Sequence, residues 1–361
     1  MKKLLVAVLA LSLTAASCNI FSGAFDTQSG SKGVFKSEDN AQSFHASNKI
    51  ANKKNDIGNL SVNVLAPDPR NNDTIYLGYS GGVYRTKDGA NSWEMVLTGI
   101  GIADIAIDST NPDTVYAAGL SGSNGKIIRS VDGGSSWTEV YTEPTKTSPV
   151  TSIAVSRDNS NLVLAGLGTG EIIRSTDQGK TWQVTQDMAD RVARIKQSGA
   201  NFYAMLLHKG LARSANQGST WTLLPAKDLG QPVSAPQGAD KNYLPSLSGI
   251  ANYYDIALDP NRPGLIYMGT DKGLAKSTTD GSSWAFVPMP VTDSNLAVTA
   301  VALTPGDTNA ILAAIGPVIF KSQNGGATWE NRRLTTDQTV RTILISTQAT
   351  NLIYLGMGVK K

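Results

Sequence analysis

The chain has 361 residues, with Lys plus Arg at 32 and Asp plus Glu at 29, and its length fits either two average domains or one large all-β domain. The formal net charge is +3, and two of the positive charges, Lys2 and Lys3, sit at the N-terminal edge. No basic stripe or tail is present to neutralise a phosphate backbone, so no nucleic-acid partner is expected.

The first element is a leader. MKKLLVAVLALSLTAASC (1–18) has a basic start, an apolar run from Leu4 to Leu13 and small residues before Cys18, the layout of an export signal. The run is too short to span a bilayer. Ala15, Ala16, Ser17 and Cys18 resemble a bacterial lipobox, in which the Cys is lipidated and becomes the new N-terminus. Cys18 is the single Cys of the chain, which excludes an intrachain disulfide and leaves an exported thiol to be explained. The resemblance implies a signal peptide over 1–17, lipidation of Cys18, and a small, polar tether over 18–32 that spans about 20 Å as a flexible coil. The expected location is the bacterial cell envelope, with membrane attachment through the lipid and an extracytoplasmic face. Ordinary cleavage to a secreted protein is the alternative.

Beyond the leader one motif recurs seven times: KSEDNAQSF (36–44), RTKDGANSW (85–93), RSVDGGSSW (129–137), RSTDQGKTW (174–182), RSANQGSTW (213–221), KSTTDGSSW (276–284) and KSQNGGATW (321–329). All six Trp of the chain end a copy, at Trp93, Trp137, Trp182, Trp221, Trp284 and Trp329, and Phe44 ends the first. Successive copies are spaced by 49, 44, 45, 39, 63 and 45 residues, which marks a repeat architecture.

Runs such as TIYLGYSGGVYRT (74–86) and LIYMGTDKGLAKS (265–277) precede the motif and read as two strands joined by a Gly turn. Upstream of these lies an alternating segment, ADIAIDS (103–109) or YDIALDP (254–260), so each unit has four strands with the motif between the third and fourth. No helical periodicity competes. Seven four-stranded units suit a β-propeller, in which ring closure removes long sheet edges. The first copy lacks upstream strands, whereas 340–358 has two strands and no motif. Segment 33–45 is therefore expected to pair with the C-terminal strands, giving a single all-β, seven-bladed propeller over 33–361.

The pattern S/T-x-D-x-G-x-S/T-W resembles the Asp-box, or BNR-like repeat, of sialidases, sortilin-type receptors, xyloglucan-cleaving glycosidases and photosystem II assembly propellers. Such a resemblance implies fold far more than activity. Physically, a short Asx side chain accepts hydrogen bonds from backbone N–H groups just ahead and shapes a turn, and the following aromatic anchors it. The acid is Asp39, Asp88, Asp132 and Asp177 in four copies, and Asn216, Thr279 and Asn324 in the others. A metal ligand or general acid does not survive that exchange, whereas a turn former does. The motif is read as structural, with no metal or cofactor, and the resemblance places it on the face opposite a binding site.

Candidates for chemistry are few. His45 and His208 fall in different units, and no zinc spacing, phosphate loop or Ser/His/Asp set is present. The seven innermost strands align with small residues at one position, Ala66, Ala106, Ala154, Ala257 and Ala302, with Lys196 and Leu344 as exceptions. Two residues earlier, on the same face, stand Val64, Asp104, Ser152, Arg194, Asp255, Ala300 and Thr342. Asp104, Asp255 and Arg194 are the catalytic candidates, because a glycosidase needs paired carboxylates about 5 to 10 Å apart. The bland alternative is an ion pair between Arg194 and Asp255 on neighbouring blades.

IAIDSTNPDTVYAAG (105–119) resembles the xyloglucan-cleaving family, whose cleft lies between two propellers. The Arg-Ile-Pro motif of sialidases is absent. The longest spacing carries about 18 extra residues within 223–255, expected to project beside the channel mouth opposite the motif. Its Tyr243, Tyr253 and Tyr254 are binding candidates, able to stack on a sugar, to fill a partner's pocket, or to pack over the blade edge. Arg332 and Arg333, between blades 6 and 7, are expected on the same side. The resulting expectation is a monomeric, envelope-anchored, non-enzymatic binding or assembly module for an envelope protein, by analogy with the photosystem II assembly factor. The alternative is a glycan binder or glycoside hydrolase that uses the channel face.

Overall fold

The repeat unit folds as an antiparallel meander. In blade 1 the strands are Val62–Asp68, Asn71–Tyr79, Gly82–Thr86 and Glu94–Thr98, and the motif RTKDGANSW turns the third into the fourth. This is a computed structural model; it describes residues 31–224, 243–244, 249–259, 262–291 and 297–359. The leader, Cys18 and most of the tether lie outside the described residues, as does most of the long insertion.

Seven such sheets are present, and each inner strand packs on the next until Thr339–Ile345 meets Val62–Asp68 and closes the circle. The protein is a seven-bladed β-propeller. Its last blade is built from both ends of the described chain, in the order His45–Ala46, Gly33–Ser37, Ile353–Gly358, Thr339–Ile345. Gly33 lies opposite Met357 and Ser37 opposite Ile353, as the missing half-units in the sequence require. Blade 5 differs from the rest. Tyr243–Leu244 adds a fifth strand to its outer edge, with Tyr243 opposite Ala285 and Leu244 opposite Trp284.

Apolar side chains fill the seven spaces between successive blades. Between blades 1 and 2, for example, Tyr76, Val83, Ile102, Ile105 and Ala117 form one cluster, and the seam between the closing blade and blade 1 buries Val34, Ile57, Leu77, Trp93 and Tyr354. A strand with both faces covered must be apolar on both, which is why the second strands read VYAAG or IYMGT without alternation.

The motif holds its turn in the way its residue types require. Asp88 Oδ1 accepts the Ser92 N–H at 2.9 Å and the Thr86 hydroxyl at 2.7 Å, while Asp88 Oδ2 accepts the Ser92 hydroxyl at 2.6 Å. Thr86 Oγ1 in turn accepts the Ala90 N–H at 3.0 Å. In the substituted copies Asn216 Oδ1 accepts the Thr220 N–H at 2.9 Å and its amide nitrogen donates to the Thr220 hydroxyl, and Thr279 Oγ1 accepts the Ser283 N–H at 2.9 Å. Acceptor geometry is preserved throughout, and charge is dispensable. Two consecutive residues of every turn have positive φ, among them Gly133 at 66° and Gly134 at 85°.

A second set of contacts joins neighbouring blades. The basic residue that opens a motif reaches the turn of the following blade: Arg85 donates to the Gly133 carbonyl, Arg174 to the Gln217 carbonyl at 2.8 Å, and Lys321 to the Asn40 carbonyl at 2.9 Å. Tyr76 and Tyr116 on the second strands donate to the Gly133 and Gln178 carbonyls at 2.8 and 3.1 Å. Each of these Tyr lies opposite one of the small inner-strand residues, Ala66 or Ala106. The motif therefore closes its own blade and presents carbonyls to the blade before it.

The Ser136 hydroxyl and N–H and the Ser130 hydroxyl hold Asp132 at about 2, and the equivalent Thr181 and Ser175 groups hold Asp177 at about 2, against an ordinary 3.8. A carboxylate lowered on folding contributes stability that is complete above its unfolded pKa and disappears as pH falls through its folded one. The double variant Asp132→Asn/Asp177→Asn should therefore melt close to the wild type at pH 7 and lose less stability than the wild type on acidification from 3.8 to about 2. Thermal melts across that range check it, and equal slopes would show that the turn does not favour the charged form of these carboxylates. Trp284 is 1% exposed, so Trp284→Ala should cost about 3 to 5 kcal/mol in urea unfolding, and half-buried Trp329→Ala clearly less.

Candidate functional site

The two ends of the ring differ chemically. In blade 1, Val62 pairs with Tyr79, Tyr79 with Gly82, and Gly82 with Thr98, whereas Thr86, which opens the motif, pairs with Ile75 at the far end. The inner strands therefore begin at the face opposite the motif turns. Six of the seven begin with an irregularity. Two residues oppose one between Val62 and Val64, Ile102 and Asp104, Val150 and Ser152, Val192 and Arg194, Tyr253 and Asp255, and Val340 and Thr342.

Such a β-bulge re-aims the extra side chain and leaves nearby backbone groups unpaired. The extra residues are Asn63, Ala103, Thr151, Ala193, Tyr254 and Arg341, and all six line one cavity of about 670 Å³ at the channel mouth. Thr299 of blade 6 joins them. Three of the seven have structural duties toward the following blade: Asn63, Thr151 and Thr299 donate to the carbonyls of Ile102, Val192 and Val340 at 2.7, 2.6 and 2.7 Å. Ala103 and Ala193 leave room. Tyr254 and Arg341 project a phenol and a guanidinium into the same space, which Ile102, Leu120, Pro149 and Leu207 line with apolar surface.

The unpaired N–H groups explain the two channel aspartates. Asp104 Oδ1 accepts its neighbour's N–H, from Ile105, at 3.0 Å, and its Oδ2 accepts the Ile153 N–H at 3.1 Å and the Ser152 hydroxyl at 2.9 Å. Ser152 Oγ accepts the Ile195 N–H at 2.7 Å. Asp255 repeats the pattern, with Oδ1 on the Ile256 N–H at 2.9 Å and Oδ2 on the Val301 N–H at 3.0 Å. Two Asp and one Ser thus satisfy five inner-strand N–H groups across blades 2 to 6, four of them next to a bulge. The expected ion pair between Arg194 and Asp255 is not formed: the two carboxylate oxygens accept backbone N–H groups, and Arg194 donates to the Ala193 carbonyl at 3.0 Å. Asp104 and Asp255 do share the motif-side channel cavity of about 430 Å³ with Arg194 and Lys196.

The tyrosines of the insertion do not stay together. Tyr254 is half-buried at the mouth, where burial and then the Asp271 charge push its phenol above the ordinary range. Tyr253 is 3% exposed and packs in the core between blades 4 and 5 with Ile250, Met268 and Trp284. Tyr243 lies on the outer edge strand of blade 5, at the end of Trp284, away from the mouth where it was expected. The displacement follows from the free outer edge of blade 5, to which Tyr243–Leu244 adds a strand. Arg332 is also displaced. It reaches the motif turn of the closing blade, donating from Nη2 to Gln42 Oε1 at 2.9 Å, so its side chain serves the motif side. Arg333 is exposed on the adjacent outer strand position opposite Val318. Alignment of the inner strands does not reveal Arg341, because the bulge puts the mouth-facing residue on the face opposite the aligned one, or Arg191, which precedes the strand Val192–Ser198.

No family model matches the sequence. A xyloglucanase of Hypocrea jecorina (strain QM6a) is 26% identical over 220 residues, which are 60% of this chain and 23% of that protein. The chain thus spans about a quarter of the length of that relative. Among solved structures, the GH74 xyloglucanase of Xanthomonas campestris superposes with a TM-score of 0.63 at 17% identity, covering 83% of this chain and 51% of that one. YCF48, solved bound to a D1 peptide, superposes with a TM-score of 0.59 at 16% identity over 84% of this chain and 93% of that one. These likenesses confirm the seven-bladed propeller.

Asp104 and Asp255 are each 9% exposed and accept only donors. Replacing either carboxylate by an amide turns an NH2 toward a backbone N–H, so Asp104→Asn and Asp255→Asn should each cost about 1 to 3 kcal/mol in urea unfolding. An unchanged midpoint would contradict the backbone-holding role of the two carboxylates.

Proposed function

We propose that this propeller is a non-enzymatic binding module that seats a protein partner at the channel mouth opposite the motif turns, and that lipidation of Cys18 holds it at an envelope membrane. The observation that supports it most strongly is the division of labour at the bulges. The channel carboxylates are taken up by backbone N–H groups, whereas the mouth combines apolar walls with a phenol and guanidinium groups that no blade contact requires. A cavity with apolar lining and a few polar groups is the usual form of a recognition site. The named peptide complex of YCF48 supports a protein ligand, and the xyloglucanase relative supports a glycan as the second reading.

Incubation with xyloglucan and a panel of other polysaccharides should release no reducing ends, and hydrolysis of any of them would overturn the proposal. Crosslinking in the producing cell should capture one envelope protein from the anchored chain. Ala103→Trp, which fills the mouth, should abolish that capture if it leaves the melt unchanged. Labelled palmitate should enter the wild type and not Cys18→Ser.

A further inference from the structure

Three guanidinium groups meet at the mouth. Arg191 and Arg194 come from blade 4, one before and one within the inner strand Val192–Ser198, and Arg341 is the bulged residue of the closing blade. Arg194 and Arg341 line both the mouth cavity and the motif-side channel, so they stand at the neck between the two. Among the described residues that line the mouth none is Asp or Glu. No carboxylate lies within ion-pairing distance of any of the three, again among the described residues.

Asp104 and Asp255 line the motif-side channel with Arg194 and Arg341 but neither is within ion-pairing distance, so the like charges of the cluster are not neutralised by contact and call for a reason other than packing. Burial, and then the Arg194 charge, hold both Arg191 and Arg341 below the ordinary arginine value. Elsewhere the chain shows what a structural basic residue looks like: Arg85 is paired with Glu94 and Lys126 with Glu139. The mouth arginines follow neither that pattern nor the cross-blade one of Arg174 and Lys321.

We propose that Arg191, Arg194 and Arg341 form an oxyanion-binding site whose ligand is an acidic segment of a peptide. This rests on the mouth being the binding face. Guanidinium groups present forked donors that match the two oxygens of a carboxylate, and a partly dry setting strengthens each charge-assisted bond. The surrounding walls decide between sources of that carboxylate. Ile102, Leu120, Pro149 and Leu207 offer apolar contact next to the guanidinium groups. A peptide can place Leu or Phe beside Glu and use both, and half-buried Tyr254 can stack on such a side chain. A uronate polysaccharide carries hydroxyls at every turn and would leave those walls unused.

The test is calorimetric titration of the purified protein with four probes: a peptide of alternating Leu and Glu, its Leu/Gln counterpart, a galacturonate oligomer, and inorganic phosphate. The Leu/Glu peptide should bind most tightly, weaken steeply with salt, and lose about tenfold with each of Arg194→Met and Arg341→Met, the loss expected for one charge-assisted contact. Arg70→Met, an exposed residue outside the mouth, should leave binding unchanged. Arg341→Met should also raise the melting temperature, since it relieves repulsion without removing a partner. Equal binding of the Leu/Gln peptide, indifference to both Arg substitutions, or no binding of any probe would overturn the proposal. Tighter binding of the galacturonate oligomer would replace the peptide by an acidic glycan. Crosslinked capture in cells separates the two levels: capture lost in Ala103→Trp but kept in Arg194→Met/Arg341→Met sinks the oxyanion site alone, and capture kept in Ala103→Trp sinks the binding face itself.

Discussion

The structure depends on closure of the ring. A blade of this composition is apolar on both faces, and each face is covered only by the next blade, so an open row of seven would leave two apolar faces in water. Pairing of Gly33–Ser37 with Ile353–Gly358 removes that exposure by building the last blade from both ends of the described chain. The same seam brings Tyr354 and Trp93 together in one core cluster, so the first and last blades are joined by side chains as well as by strand pairing. The motif turns tighten the circle from outside. Their carbonyls accept from the basic residue and the Tyr of the preceding blade, and the pattern runs on through Lys321 to Asn40 in the closing blade.

Inner-strand crowding shapes the site. Seven strands converge on one axis, and a bulge at the start of six of them bends each strand where it enters the channel. That single device has two consequences. It leaves N–H groups without sheet partners, which Asp104, Ser152 and Asp255 satisfy across the blade boundary. It also turns one residue per blade toward the mouth. Where that residue is Asn63, Thr151 or Thr299 it stitches blades together, and where it is Tyr254 or Arg341 it is available to a ligand.

The turn role of the motif was legible because Asn216, Asn324 and Thr279 stand where Asp stands elsewhere, and only an acceptor's geometry survives that exchange. Inner-strand alignment was legible too: Ala66, Ala106, Lys196 and Leu344 each lie opposite an equivalent Tyr of the second strand. The role of Asp104 was not, because its partner Ile153 is 49 residues away and is short of an acceptor only through a bulge that has no residue signature. Arg332 was misplaced for a similar reason, its partner Gln42 being 290 residues distant across the closure. Tyr243 was misplaced because nothing local marks a two-residue strand that pairs with an outer edge about 40 residues ahead.

Repetition is what allowed the sequence alone to determine so much. Seven copies of one hydrogen-bonded turn, with Trp or Phe at a fixed place, set the four-stranded unit, the blade count and the pairing of the two chain ends in one blade, since each depends on contacts within a unit or on simple counting. Tertiary structure decided everything that depends on one blade meeting another: which carboxylates are consumed by backbone, which residues a bulge turns toward the mouth, and that Arg191, Arg194 and Arg341 converge from blades 4 and 7. Those outcomes are set by register and by curvature of the ring, and neither is encoded by any residue in isolation.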